Sequence, residues 1–127
     1  MAGIRRFGDV IAWQKARALT SLIYRVSGSG AFTHDFALRD QIRCTSISIM
    51  SNIAEGFERY GSAEFKHFLS VARGSAAEVR SQTCPAFDPG YIDRKTFEQL
   101  RGQCTEISRM VGRMRTSIER GSDAARG

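Results

Sequence analysis

The chain has no run of about 18 consecutive apolar residues, so no segment is suited to crossing a membrane as a helix. Its first residues, MAGIRRFGDVIAW, lack an apolar stretch followed by a small-residue cleavage site. That points away from secretion and toward the cytoplasm. The cysteines are three, Cys44, Cys84 and Cys104, with no C-x-x-C pair. An odd count without that spacing argues against both a disulfide framework and a zinc site. The two histidines, His34 and His67, sit in no recognisable motif, so a nucleophilic thiol has no evident base. There is no Gly-x-x-x-x-Gly-Lys loop to cradle phosphates. Gly74-Ser75 lies within a helical pattern, not in the G-x-S-x-G strand-to-helix turn of a nucleophile elbow. Glu64-Phe65-Lys66-His67 is a lone Glu-x-x-His match, whereas a di-metal bundle needs two. No catalytic residue, metal or cofactor is therefore expected.

Lysine is also scarce. Of 19 basic residues, only Lys15, Lys66 and Lys95 are lysine and the rest are arginine. The net charge is +6. Arginine meets phosphate and carboxylate with a planar fork, whereas lysine offers a point charge. The excess favours an anionic partner such as nucleic acid, although a GC-rich genome would produce the same bias.

No segment alternates with a period of two, and hairpin signals are absent. What is present is helical periodicity across 127 residues, a length that suits one domain. After Asp9, a good N-cap, Ala12, Ala16, Leu19, Ile23 and Val26 fall on one face. In the second segment Leu38, Ile42, Thr45, Ile49 and Ile53 form one stripe. Ile47, Met50, Ala54 and Phe57 form another about 100° away, and a helix with two apolar stripes has to bury two sides. A third segment follows Gly61 or Ser62 as N-cap, with Glu64 in its first turn and Phe65, Leu69, Ala72, Ala76 and Val79 inward. Its small residues, Ser70, Gly74, Ala77 and Ser81, suggest close packing against a neighbour. Pro85 and Phe87-Asp88-Pro89-Gly90 are expected to end it. In the fourth, Phe97, Leu100, Cys104, Ile107, Val111, Met114 and Ile118 keep an unbroken a/d pattern. The expectation is a single all-α domain over residues 1–127, an up-down-up-down antiparallel four-helix bundle. Its helices span about 9–27, 36–60, 62–84 and 93–119 by this periodicity, with a fraying tail at 120–127.

Two sets of polar residues qualify as candidate sites. Ser48, Asn52, Glu55 and Arg59 share one face of the second helix. Glu55 and Arg59 are an i, i+4 pair, so this face is either a polar seam between helices or a carboxylate held for chemistry. The arginine beside Glu55 keeps that acid ionised and argues against acid–base work with Glu58. The second set is basic. Lys66, Arg73 and Arg80 recur every seven residues on the third helix, Arg109 and Arg113 share a face of the fourth, and Arg39 and Arg43 open the second. These are either solvated helix backs or phosphate-contacting rows, which bind electrostatically and without reading bases.

Several stretches resemble a known family. Gln41-Ile42-Arg43, Ser51-Asn52-Ile53-Ala54-Glu55-Gly56, Arg59, Glu64-Phe65, Phe68-Leu69, Gly74-Ser75-Ala76 and Gly90-Tyr91-Ile92 are similar to the four-helix-bundle proteins encoded in intervening sequences of bacterial 23S ribosomal RNA genes. The resemblance covers roughly residues 7–118. It implies a non-enzymatic homo-oligomer, typically a pentamer of bundles with basic surfaces. A related bundle, the accessory variability protein of diversity-generating retroelements, implies reverse transcriptase or nucleic acid as partners. An RNA-binding or ribonucleoprotein-binding role follows, with a protein-interaction scaffold as the alternative. Cys44-Thr45 after Arg43 removes one basic residue usual in the family. Met50 stands where a proline is common. Pro85 and Pro89 stand where the family continues its third helix, so an early end or a kink is expected there.

Overall fold

A computed structural model describes residues 10–126, with side chains described for residues 10–116. Four helices follow one another: α1 (Ile11–Ser27), α2 (Phe36–Glu58), α3 (Glu64–Phe87) and α4 (Arg94–Arg126), with a 3-10 turn at Gly30–His34 between the first two. Each helix packs on the next and α1 closes against α4, the circuit of an antiparallel bundle. Among the described residues there is no strand, and no helix is long and apolar enough to cross a membrane.

The core is built from the periodic stripes. Ala12, Ala16, Leu19 and Ile23 of α1 meet Ile42, Ile49 and Ile53 of α2. Phe65, Leu69, Ala72, Ala76 and Val79 of α3 and Leu100, Cys104, Ile107 and Val111 of α4 complete it. Burial of such side chains stabilises by about 1.5–3 kcal/mol each, before the entropy of ordering is subtracted. Phe97 and Met114, at the ends of the a/d stripe, pack against this core while partly exposed. Ile118 lies outside the described side chains.

The helix ends depart from expectation at several points. The N-cap of α1 is Val10, with no side-chain hydrogen bond; Asp9 lies outside the described residues. Ser62 does not cap α3. Its hydroxyl donates to the Arg59 carbonyl at 2.7 Å, and Ala63 holds the cap position. Gly61 turns the chain with φ +88°, a conformation that disfavours any side chain. Pro85 does not end α3, which runs through it to Phe87. Asp88 N–H still reaches the Cys84 carbonyl at 2.9 Å. Pro85 and Ser81 are both exposed, so solvent can satisfy the Ser81 carbonyl that the proline leaves without an N–H. The stop comes later, at Gly90 with φ +87°, where Tyr91 and Ile92 N–H both bond the Ala86 carbonyl. At the other end of the chain, α4 continues past residue 119 to Arg126.

One polar latch joins the two connections at the same end of the bundle. Asp35 caps α2 by accepting from Leu38 N–H at 3.1 Å. Its other oxygen accepts from the Tyr91 hydroxyl at 3.0 Å, and the Tyr91 ring stacks on Phe32 at 5.2 Å. This gives the Gly90-Tyr91-Ile92 motif a structural task. The hydrogen bond to Asp35 raises the Tyr91 pKa above its ordinary value. Nearby, Asp93 caps α4 by accepting from Thr96 N–H at 2.8 Å. That bond holds the Asp93 carboxyl below its usual range. The cap's contribution is therefore present above the ordinary carboxylate pKa and is lost as pH falls through the depressed value.

Candidate nucleic-acid interface

The helices sort the basic residues by side of the bundle. Arg73 and Arg80 lie on the edge of α3 that faces α4. Arg73 Nε donates to Ser108 Oγ at 3.5 Å, and Arg80 Nη1 to Thr105 Oγ1 at 3.4 Å. Arg109 and Arg113 rise one turn apart from the outer face of α4. With Gly102, Thr105 and Glu106 they line an open cleft of about 400 Å³. Glu106, the carboxylate in that cleft, is paired with Lys15 of α1 at 2.9 Å. Arg73 and Arg80 thus border α4 along the α3–α4 groove, and Arg80 reaches Thr105 at the edge of the cleft that Arg109 and Arg113 line on the outer face of α4. Lys66 continues the α3 row toward the other end and is itself partly covered.

Arg73 passes over Gly112 of α4. A Cβ on Gly112 would sit 3.4 Å from Arg73 Cζ and 3.5 Å from its Nη1. These are ordinary van der Waals distances, so the guanidinium lies against α4 at this position.

Arg39 and Arg43 are not part of this face. Arg39 donates to the Thr33 carbonyl at 3.0 Å, pairs with Asp40 at 2.9 Å and lies over Phe36. Arg43 reaches back to α1, donating to Ser27 Oγ at 2.8 Å and to the Tyr24 carbonyl at 3.3 Å. Its guanidinium lies 4.5 Å from the Tyr24 ring centroid. Both arginines tie α2 to the segment before it, a task the sequence pattern did not signal.

The polar face of α2 is an interhelical seam. Ser48 and Ser75 hydroxyls are hydrogen-bonded at 2.9 Å across α2 and α3. Asn52 Nδ2 donates to the Ser48 carbonyl at 2.8 Å and to its hydroxyl at 3.1 Å. Arg59 pairs with Glu55 and also with Glu64 at 2.7 Å, while lying over Phe68. Its pKa is raised, first by the hydrogen bond to Glu55. Glu64 is thus committed to Arg59, and the His67 ring stands edge-on to Phe68. Among the described residues, no cluster of His, Cys, Asp and Glu could hold a metal ion. Cys104 is buried, and desolvation pushes its thiol up to about 12, far from a reactive thiolate.

Close helix approach falls on Gly56, not on Gly74. Nothing lies within 4 Å of a Cβ built on Gly74, whereas one on Gly56 would meet Phe68 Cβ at 3.1 Å and the Phe65 carbonyl at 3.5 Å. The second apolar stripe of α2 is largely covered by the chain itself: Met50 and Phe57 pack on its own core. Ile47 remains 40% exposed, and Tyr24 of α1 is 42% exposed.

Among the described residues, six guanidinium groups lie over aromatic rings, against a general frequency of about one per 70–80 residues. Much of the arginine excess therefore has an internal use. Three of these pairs are local, Trp13–Arg17, Phe36–Arg39 and Phe97–Arg101, and their i+3 or i+4 spacing was visible in the sequence.

The family described as 23S rRNA-intervening sequence protein matches residues 8–113. Among solved structures, the chain is similar to a protein of unknown function from the S23 ribosomal protein family of Bacteroides thetaiotaomicron. The identity is 22% and the TM-score 0.74, over 83% of this chain and 98% of that one. That likeness establishes a shared fold. No curated protein matches the chain.

Proposed function

The chain belongs to the 23S rRNA-intervening sequence protein family, and from that premise we propose that it is a non-enzymatic, oligomeric bundle that binds RNA through the arginines of α3 and α4. The observation that supports this is that Arg80 bonds Thr105, a residue of the cleft that Arg109 and Arg113 line, so the basic rows of α3 and α4 lie side by side. Their guanidinium forks suit phosphate oxygens. Nothing on that face forms the acid–base pair or nucleophile–base pair that chemistry on a substrate requires. Such binding is electrostatic, weakens with salt and is indifferent to base sequence. The test is the fluorescence anisotropy of a labelled, structured RNA at low salt. Binding that weakens steeply as salt rises is the expected result. No binding at low salt, with the protein folded, overturns the proposal.

Assembly uses a different side. Tyr24 and Ile47 are exposed where α1 meets α2, with the Arg43 guanidinium stacked on Tyr24. A homo-oligomer formed there leaves the α3–α4 face open. The resemblance of the motifs to the family makes a pentamer the expected form. Light scattering should then give a multiple of the 14.1 kDa chain mass. Ile47→Glu, which places a charge at the contact, should shift the protein toward monomer without unfolding it. A wild-type monomer at high micromolar concentration contradicts the assembly.

A further inference from the structure

We infer that the cleft on the outer face of α4 is a phosphate site, in which Arg109 and Arg113 hold the anion, Lys15 keeps Glu106 off them and Gly102 leaves the room. That the phosphate belongs to an RNA backbone rests on the RNA-binding proposal above. The first observation is that these two guanidinium groups are unengaged. Elsewhere the chain supplies acceptors to its arginines. Arg39 and Arg43 bond backbone carbonyls, Arg59 pairs with Glu55 and Glu64, and Arg73 and Arg80 reach hydroxyls. Among the described residues, Arg109 and Arg113 have no acceptor. They line the same cleft, about 6 Å apart along the helix axis. Each offers N–H donors in a fork that matches two oxygens of a phosphate.

The second observation is the pairing of Glu106. This carboxylate also lines the cleft and stands three residues before Arg109, the spacing at which the two would pair on one helix. It pairs instead with Lys15 of α1 at 2.9 Å, which leaves both arginines to an anion from outside. Thr105 is engaged as well. Its hydroxyl donates to the Arg101 carbonyl at 3.0 Å and accepts from Arg80, so Arg80 adds a third cation at the edge. The third observation is Gly102, which is exposed and lines the cleft. Glycine inside a helix costs about 1 kcal/mol relative to alanine. Nothing lies within 4 Å of a Cβ built on Gly102, so packing within the chain does not call for glycine there. Access of a ligand to the cleft does.

The first test titrates inorganic phosphate into the folded protein at millimolar concentration, with chloride at equal ionic strength as the control. Backbone amide resonances are followed by heteronuclear NMR. Saturating shifts centred on Gly102, Thr105, Glu106, Arg109 and Arg113 are expected with phosphate and not with chloride, and they should vanish in the Arg109→Gln, Arg113→Gln double variant. No shifts, or shifts spread evenly over every helix that carries arginine, overturn the site. The second test titrates an RNA hairpin. Leucine is a far better helix former than glycine, so Gly102→Leu should be at least as stable as wild type while its side chain fills the cleft. Its hairpin affinity should fall about tenfold and its salt slope by about one. Glu106→Gln should tighten binding about threefold, and Lys15→Gln should weaken it by a similar factor, the scale of a screened surface charge. Adding Glu106→Gln to Lys15→Gln should reverse the loss, and a loss that persists overturns the part given to Lys15. A folded Gly102→Leu protein with wild-type hairpin affinity overturns the cleft as the seat of an RNA phosphate and leaves RNA binding by the bundle intact. Phosphate shifts at the cleft with no hairpin binding by the wild-type protein assign the site to free phosphate and overturn the RNA-binding proposal.

Discussion

Replacing Phe65 with alanine is expected to lower the unfolding free energy by about 3–5 kcal/mol, the range for truncating a buried phenylalanine. The ring is fully buried and sits just after the turn that joins α2 to α3. It meets Tyr60 edge-to-face with centroids 5.2 Å apart, and its carbonyl lies against the helix at Gly56. Removing it leaves a cavity where the two helices approach most closely. The surroundings cannot collapse into that space without moving Tyr60 or opening the contact between Gly56 and Phe68. In a domain of this size the loss corresponds to a fall in Tm of roughly 10–20 °C. Thermal and urea unfolding followed by circular dichroism would measure it. A change below about 1 kcal/mol, the size of a typical surface effect, would contradict the packing described at this turn.

The combined variant Arg73→Gln, Arg80→Gln, Arg109→Gln and Arg113→Gln is expected to lose about 100-fold or more in affinity for structured RNA at 50 mM salt. Glutamine keeps part of each polar stem but removes the charge and the fork. The Arg73 and Arg80 side chains are exposed and make only long hydrogen bonds to Ser108 and Thr105. Their replacement should therefore leave the fold intact, and circular dichroism would verify this. Replacing Arg39 and Arg43 should do the reverse. Those two side chains bond the Thr33 and Tyr24 carbonyls, so their loss should loosen the α1–α2 connection and leave RNA affinity nearly unchanged. Equal losses of affinity from the two sets would show that charge alone, and not this face, governs binding.

The inward stripes of all four helices were legible because a 3.6-residue period leaves a direct trace in the sequence. Less was legible where a residue's task depends on register between helices. Gly56 and Gly74 both stand in helices, yet only Gly56 meets a neighbouring chain segment. No local pattern separates them, because the difference is where α3 crosses α2. Proline 85 misled for another reason. The rule that proline breaks a helix concerns a lost N–H bond, and in an exposed last turn that loss is small. The candidate site was legible as rows but not as a face. Spacing put Arg73 with Arg80 and Arg109 with Arg113, while only tertiary packing brought the two rows together. Packing also took Arg43 away, onto Tyr24 and Ser27. The contact of Gly112 with Arg73 could not be found from sequence at all, since the guanidinium comes from 39 residues earlier in the chain.

The most direct test of phosphate binding by the α3–α4 face is the slope of log affinity against log salt for an RNA hairpin. It should be measured for the wild-type protein and for the four-arginine variant. Each phosphate contact contributes about 0.7–0.9 to that slope, so losing four should flatten it by roughly three. A slope that flattens by that amount is the result this structure predicts. A variant that binds more weakly but keeps the wild-type slope would mean that these arginines do not touch the backbone.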